Sequence, residues 1–220
     1  LAGGLAFTYR KPARSTDPTR VMRGAATLFV GARSYAQVVE PAADVPGRAR
    51  VARYATADHY GELRRGLGVV ADALREMGAR AVVLADDNAV VDREAAWRAG
   101  VGWSGKSALV LSPGLGSWIV LGSVVTDATL GTDAPIATPV PDGCGTCERC
   151  IPACPTGAIV APGTVDARRC LAALVQMPGT FPREHRVALG NRLYGCDDCQ
   201  EACPPSRAVD LRTARRTDAP

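Results

Sequence analysis

The eight cysteines constrain this chain more than any other feature, because all of them fall in its last third: Cys144, Cys147, Cys150, Cys154, Cys170, Cys196, Cys199 and Cys203. The first 143 residues contain none. Such segregation predicts a compact thiol-rich module joined to a cysteine-free domain, and argues against disulfides scattered through a secreted fold. Three ligand chemistries compete for the thiols. Cysteines two residues apart pair poorly as disulfides, and a reducing compartment would keep them open. Structural zinc favours separated C-x2-C pairs or cysteine with histidine, whereas one stretch here supplies four thiols and the module holds a single histidine, His185. Iron and sulfide remain. The run "CGTCERCIPACP", residues 144–155, spells C-x2-C-x2-C-x3-C-P without a mismatch, the pattern of a bacterial four-iron site.

The spacing has a physical cause. Three thiolates two residues apart wrap three corners of a cubane from one tight loop, while the next cysteine, expected to start a helix, points the other way. In two-cluster ferredoxins that fourth thiolate serves the second cluster. The second half, "YGCDDCQEACPPSR", supplies Cys196, Cys199 and Cys203 before Pro204, one leading cysteine short, and Cys170 is the thiol left to replace it. Cys144, Cys147, Cys150 and Cys203 are therefore assigned to one [4Fe-4S] cluster, and Cys154, Cys170, Cys196 and Cys199 to the other. Eight thiols fill two sites, and two clusters held so close form a short electron wire.

At 220 residues and 47% hydrophobic, the chain can bury a real core, as one large domain or a moderate domain with a small one. No run approaches the roughly 18 apolar residues needed to span a bilayer. The opening "LAGGLAFTYRKPARSTDP" lacks a charged-then-apolar secretory pattern, so the cytoplasm is expected. Because the chain begins at Leu1, an N-terminal portion is expected to be missing. The formal charge of +4 is modest, but the tail gathers Arg207, Arg212, Arg215 and Arg216, which suits either contact with phosphate or a solvated end.

The cysteine-free part reads as an α/β layer. "AATLFVGARSY" predicts a buried strand, and "DHYGELRRGLGVVADALREMG" an amphipathic helix with Leu63, Leu67, Val70, Leu74 and Met77 on one face, ended by Gly78. "ARAVVLADD" follows as a strand and "AVVDREAAWRAG" as a helix closed by Gly100. "SALVL" and "SWIVLGSVVTD" flank the turn "SPGLG" and predict a hairpin, after which the proline-rich "DAPIATPVPDG" links to the thiol module. Neither G-x-G-x-x-G nor a Walker loop is present, so no nucleotide fingerprint shows. Yet residues 99–127 are rich in glycine and small side chains, which suits either turns or close approach of backbone to something large and flat.

The segments "RVARYATADHY", "ADDNAVVDREAAWRAGVGWSGKSALVL", "GSWIVLGSVVTD", "GCGTCERCIPACPTGAI", "DARRC" and "GNRLYGCDDCQEACPP" occur in this order. In that succession the chain resembles the epoxyqueuosine reductases, enzymes that remove the epoxide oxygen of epoxyqueuosine at the wobble position of tRNA. The resemblance implies a cobalamin held by an α/β domain at 1–138, a two-cluster ferredoxin-like α+β module at 139–207, and a basic tail or the start of a further region at 208–220. It implies a tRNA carrying epoxyqueuosine and an external low-potential electron donor as partners, no membrane, and a monomer.

The family's general acid falls on Asp86. That residue ends a buried strand, where open α/β sheets place ligand sites, and a carboxyl group partly buried over a corrin would keep its proton near neutrality. Asp87 fits the role of helix cap better. Corrin contacts are implied for Arg10, for backbone around Val110 and Leu121, and for Cys196 and Asp197, with Trp103 and Lys106 beside them. A core role for Trp103 and a surface salt bridge for Lys106 are the plain alternatives. The chain departs from the family at "CPPSR" and "DHY", where "CPWN" and "DYH" are usual, and it lacks the family's C-terminal helical repeats. Without those repeats, basic residues such as Arg64, Arg65 and the Arg207–Arg216 run are left to meet tRNA. Two other readings remain open at this stage: a related cobalamin reductase of a small molecule, as in reductive dehalogenases, and a plain two-cluster electron carrier.

Overall fold

The computed structural model describes residues 12–36, 47–131 and 143–209. A short helix α1 (Pro12–Ser15) precedes strand β1 (Thr27–Ser34), the two-residue strand β2 (Arg50–Val51), helix α2 (His59–Glu76) and strand β3 (Ala81–Ala85). Helix α3 (Asp92–Arg98), the short strands β4 (Trp103–Ser104) and β5 (Val110–Leu111), and the long β6 (Ile119–Thr126) complete this part. The linker, Arg10 and nearly all of the basic tail lie outside the described residues.

β6 is the central strand of a sheet ordered β1-β6-β3, and it runs antiparallel to both neighbours. The expected layer of strands and helices is present, but its strands are joined through an antiparallel centre. The expected hairpin does not form. The "SPGLG" turn closes with a single bridge between Ser112 and Gly116, and then the two arms part. β5 pairs with β4, while β6 runs into the main sheet. Seven of the eight β6 residues, Val120 to Thr126, are buried, and such an apolar, small-residue strand gains more between two partners than at an edge.

α2 covers the sheet. Asp58 caps it by accepting from the Gly61 amide at 2.8 Å, and Gly78 at φ 86° closes it. Leu63, Leu67, Ala71 and Leu74 form its buried stripe. Met77, expected on that stripe, is instead 75% exposed at the helix end. Gly31 of β1 sits directly opposite Gly122 of β6. A Cβ on either would come within 2.9 Å or 2.8 Å of a Leu67 methyl. The two glycines thus form the recess that receives Leu67. Three other glycines of the 99–127 stretch are filled likewise by the chain itself, Gly102 by the Leu111 carbonyl, Gly105 by the Leu111 side chain and Gly116 by the Ser206 backbone, whereas Gly114 faces open space. The close approach suggested by composition is to the protein's own backbone and side chains.

The thiol-rich part is built from short pieces: α4 (Cys150–Ala153), the hairpin β7 (Ile159–Ala161) with β8 (Thr164–Val165), α5 (Leu171–Leu174), α6 (Arg186–Leu189), β9 (Arg192–Tyr194), α7 (Asp198–Glu201) and α8 (Pro204–Arg207). Cys154 follows α4 instead of starting a helix, whereas Cys170 and Cys203 stand at the N-caps of α5 and α8. β9 pairs in parallel with β2, which stitches this part to the sheet-bearing part. None of the described helices is long and apolar enough to cross a membrane.

Candidate functional site

All eight cysteines are free thiols. Cys150 feels Cys203, Cys144 and Cys147 as its charged neighbours, and Cys203 feels Cys144 and Cys147. Cys199 feels Cys196, Cys170 and Cys154, and then Cys150 from the other group. The neighbourhoods therefore sort into the two sets of four expected from spacing, meeting between α4 and α7. Among the described residues no three side chains converge tightly enough to hold one metal ion. Burial pushes the Cys196 thiol up to about 12, and burial with the neighbouring thiols pushes Cys199 higher still. Such groups ionise only when cations compensate them, which the irons of a cubane would do. The Ala158 amide already donates to Cys154 Sγ at 3.1 Å. The residues fit two [4Fe-4S] clusters.

The second thiol set is locked to the sheet by polar groups. Arg53, just after β2, lies 4.2 Å over the Trp118 ring, its amide donates to Asp197 Oδ2 at 2.8 Å, and its guanidinium meets Glu201 at 3.2 Å. Trp118 Nε1 donates to the Ser206 carbonyl at 2.8 Å. Asp197, one of the implied corrin contacts, is buried and bound to the Arg53 amide; Cys196 beside it is half-buried.

Asp86 lies where β3 ends, with φ at 56° in the left-handed region that a non-glycine residue occupies at a cost of about 1 kcal/mol or more. Its flanks are tied down. Arg64 of α2 donates to the Ala85 carbonyl at 2.8 Å, and Ser15 donates to the Asn88 carbonyl at 2.6 Å while its own carbonyl takes the Val91 amide. Asp87 accepts from the Ala89 amide at 2.7 Å, closing a turn within the loop; the residue at the N-cap of α3 is Val91. Arg64 thus serves this loop, while Arg65 pairs with Glu62 at 3.8 Å, and both arginines are exposed. Asp86 itself is exposed, contrary to the partial burial expected of it. Asp92, the first residue of α3, is the carboxyl pushed up, to about 7, by burial and then by the charges of Asp86 and Asp87.

The pairing of β3 ends at the Asp86 turn. β3 stops at Ala85 opposite Gly122, whereas β1 continues beside β6 as far as Ser34 opposite Ile119. On the β3 side, β6 from Leu121 to Ile119 has no strand partner among the described residues, and Asp86 borders that edge. Val110 and Leu121 are buried in one cluster with Ala96, so only their backbone is available to a ligand. Trp103 is half-buried against Gly143, and its buried Nε1 has no hydrogen-bond partner among the described residues. Lys106 pairs with Glu148 at 3.5 Å, the salt bridge set out as its plain alternative. An unpartnered indole donor and an open strand edge beside a carboxylate are the features that fit a large amide-fringed ring.

A family model described as a 4Fe-4S double cluster binding domain matches residues 143–206. An epoxyqueuosine reductase of Xanthomonas campestris is 44% identical over 177 residues, covering 79% of this chain and 47% of that protein. Its counterpart in Shewanella oneidensis is 48% identical over 127 residues, 57% of this chain and 31% of that one. A solved epoxyqueuosine reductase with an epoxyqueuosine-modified tRNA stem loop matches 96% of this chain at 32% identity and a TM-score of 0.87. The chain resembles the epoxyqueuosine reductases. It spans less than half the length of these curated relatives and 56% of the solved one.

Sequence reasoning missed the junction residues Tyr35, Arg53, Ser117, Trp118, Gln200 and Ser206. Ser206 meets the Ser117 amide and hydroxyl and the Trp118 indole, contacts 88 or 89 residues apart in sequence that no local pattern announces. The rest also lie far apart in the chain and carried no readable signal.

Proposed function

We propose that this chain reduces epoxyqueuosine to queuosine at the wobble position of tRNA in the last step of queuosine biosynthesis, with two [4Fe-4S] clusters and cobalamin as cofactors. The observation that carries the reading is the agreement of nearly the whole described fold with the relative solved on an epoxyqueuosine-modified stem loop. In this reading 1–138 form the cobalamin-binding catalytic domain, 139–207 the cluster module and 208–220 a basic tail or the start of a further region. Cys144, Cys147, Cys150 and Cys203 hold one cluster, and Cys154, Cys170, Cys196 and Cys199 the other. Arg10, Trp103, Lys106, the backbone at Val110 and Leu121, and Cys196 with Asp197 border the corrin.

Two electrons and two protons convert the epoxide to an alkene and water. The two cysteine sets would hold clusters able to carry single electrons from an external low-potential donor, and the residues bordering the corrin would hold a cobalamin able to supply low-potential reducing chemistry. The chain's own residues manage the oxygen. Opening the epoxide leaves an alkoxide that needs a proton, and Asp86 is placed to give it, because Arg64 and Ser15 fix the loop on both sides of an exposed carboxyl. Trp103 Nε1, without a partner among the described residues, supports a role for this indole beside the ring. The protein acts in the cytoplasm as a monomer, and Arg65 and Arg207 are among the cations that meet tRNA phosphates.

The test is anaerobic. With clusters reconstituted and cobalamin and reductant added, the parent converts epoxyqueuosine in tRNA, and Asp86→Asn loses at least about a hundredfold in rate while keeping clusters and cobalamin. Bound cobalamin without turnover in the parent would rule out this substrate, and failure to bind cobalamin would leave an electron carrier.

A further inference from the structure

The turn between β4 and β5 makes a second junction with the thiol-rich part, distinct from the one at Trp118 and Ser206. Ser104 pairs with Val110, the Gly105 amide donates to the Leu109 carbonyl at 2.8 Å, and the Ala108 amide donates to the Gly105 carbonyl at 2.9 Å. Arg93 of α3 donates to the Ala108 carbonyl at 2.7 Å, and the Leu111 side chain fills the space at Gly105. The turn is thus fixed by its own part of the fold, and Lys106 lies within it.

Three contacts seat this turn on the stretch that carries the first cysteines. The Trp103 ring lies against Gly143, where a Cβ would come within 2.5 Å of Cζ2. Lys106 Nζ meets Glu148 Oε1 at 3.5 Å, and the Lys106 carbonyl accepts from the Gly163 amide, between β7 and β8, at 2.9 Å. Gly143 directly precedes Cys144 and Glu148 directly follows Cys147. The two side-chain contacts therefore bracket the loop in which the Cys147 amide donates to the Cys144 carbonyl at 2.8 Å. The pair is unequal in exposure: the Lys106 side chain is 17% exposed and that of Glu148 58%. An ion pair with so open a member contributes little to stability. What it fixes is the position of charge, a largely covered ammonium held against a carboxylate that is one residue from Cys147 and two from Cys150.

We propose that Lys106 and Glu148 form a charge pair that sets the reduction potential of the cluster held by Cys144, Cys147, Cys150 and Cys203, with Lys106 raising it and Glu148 lowering it. The inference rests on the two-cluster reading above, and it gives Lys106 a task at the electron wire besides its place near the corrin. Reduction adds negative charge to a cluster, so a nearby cation favours the reduced state and a nearby carboxylate opposes it. Arg149, the other cation of this stretch, is exposed and more strongly screened. Because Lys106 belongs to the sheet-bearing part and Glu148 to the cysteine loop, the docking of the two parts brings the opposing charges together.

The experiment is a potentiometric titration with dithionite, followed by electron paramagnetic resonance, on the full chain with both clusters assembled. Lys106→Met lowers one of the two potentials, by about three- to tenfold in the reduction equilibrium, the effect of one unit charge at a partly solvated site. Glu148→Gln raises the same potential by a similar factor, the double variant returns close to the parent, and Lys106→Arg stays there. The other cluster is unmoved, and added salt shrinks both shifts. Shifts of the same sign in the two single variants, or the absence of either shift, would overturn the proposal, because a loosened loop does not distinguish cation from anion. If Lys106→Met loses a cluster, the sign of the Glu148→Gln shift decides alone. A parent with less iron than two clusters require would sink the cluster reading itself, and this inference with it.

Discussion

At Asp92 two unfavourable effects add. The carboxyl is half-buried at the start of α3, and Asp86 and Asp87 face it with like charge, so its proton is held up to about 7 from an ordinary 3.8. The folded state binds that proton more tightly than the unfolded chain does. The linked stability is fully present below the ordinary carboxylate pKa and is lost as pH rises through about 7. Asp86→Asn or Asp87→Asn removes one repulsive charge, and the Asp92 carboxyl then titrates lower, as carbon-13 resonances of the aspartate side chains would report; an unchanged midpoint in both variants would leave burial as the sole cause. The position of Asp86 was legible, since "LADD" ends a strand. That Asp92 would be the half-buried carboxyl was not. The left-handed turn at Asp86 sends its side chain to solvent, and nothing in a run of aspartates says which one the following helix carries inward.

Among the elements, the legible ones are those with a strong period: β1, α2, β3 and α3 stand where the pattern put them. The failure at the expected hairpin has a physical reason. Two apolar runs around a glycine-proline turn satisfy the hairpin pattern, yet β6 is apolar on both faces and is better used between β1 and β3. The Gly31–Gly122 recess was invisible for a similar reason, because glycine in a strand reads equally as a bulge or a ligand approach. The recess makes a sharp prediction at this scale. Leu67→Ala empties it and costs about 2–5 kcal/mol. Gly122→Ala overfills it, costing about 1–3 kcal/mol, because the added methyl meets Leu67 and the backbone oxygen of Leu84 at 2.8 Å. Combining the two changes costs less than their sum, since the smaller side chain leaves room for the methyl, and denaturant unfolding of the single and double variants measures the coupling. Strict additivity would mean that the two residues do not share the space.

For the molecule as a whole, the cysteine pattern marks off a thiol-rich stretch, but the pattern cannot say how it is held. The three large apolar clusters are built from residues of the sheet-bearing part, with Val209 alone joining from beyond the thiols. Between 143 and 206 the described helices are four residues long, far below the length at which helices persist unaided, and the hairpin β7–β8 is minimal. That stretch is therefore organised by its clusters and by its junction with β2 and Trp118, and its fold is contingent on iron. Removing iron with a chelator should melt residues 143–206 and leave the sheet intact. Hydrogen exchange would then show amides of α4, α7 and α8 losing protection while those of β6 keep it, and Trp118 fluorescence would shift to the red as its indole loses the Ser206 carbonyl and the cover of Arg53. Loss of protection in β6 together with the thiol-rich stretch would mean that the junction couples the two parts into one cooperative unit. Retention in both would mean that the buried polar junction suffices without iron, which four-residue helices with buried, unionised thiols argue against.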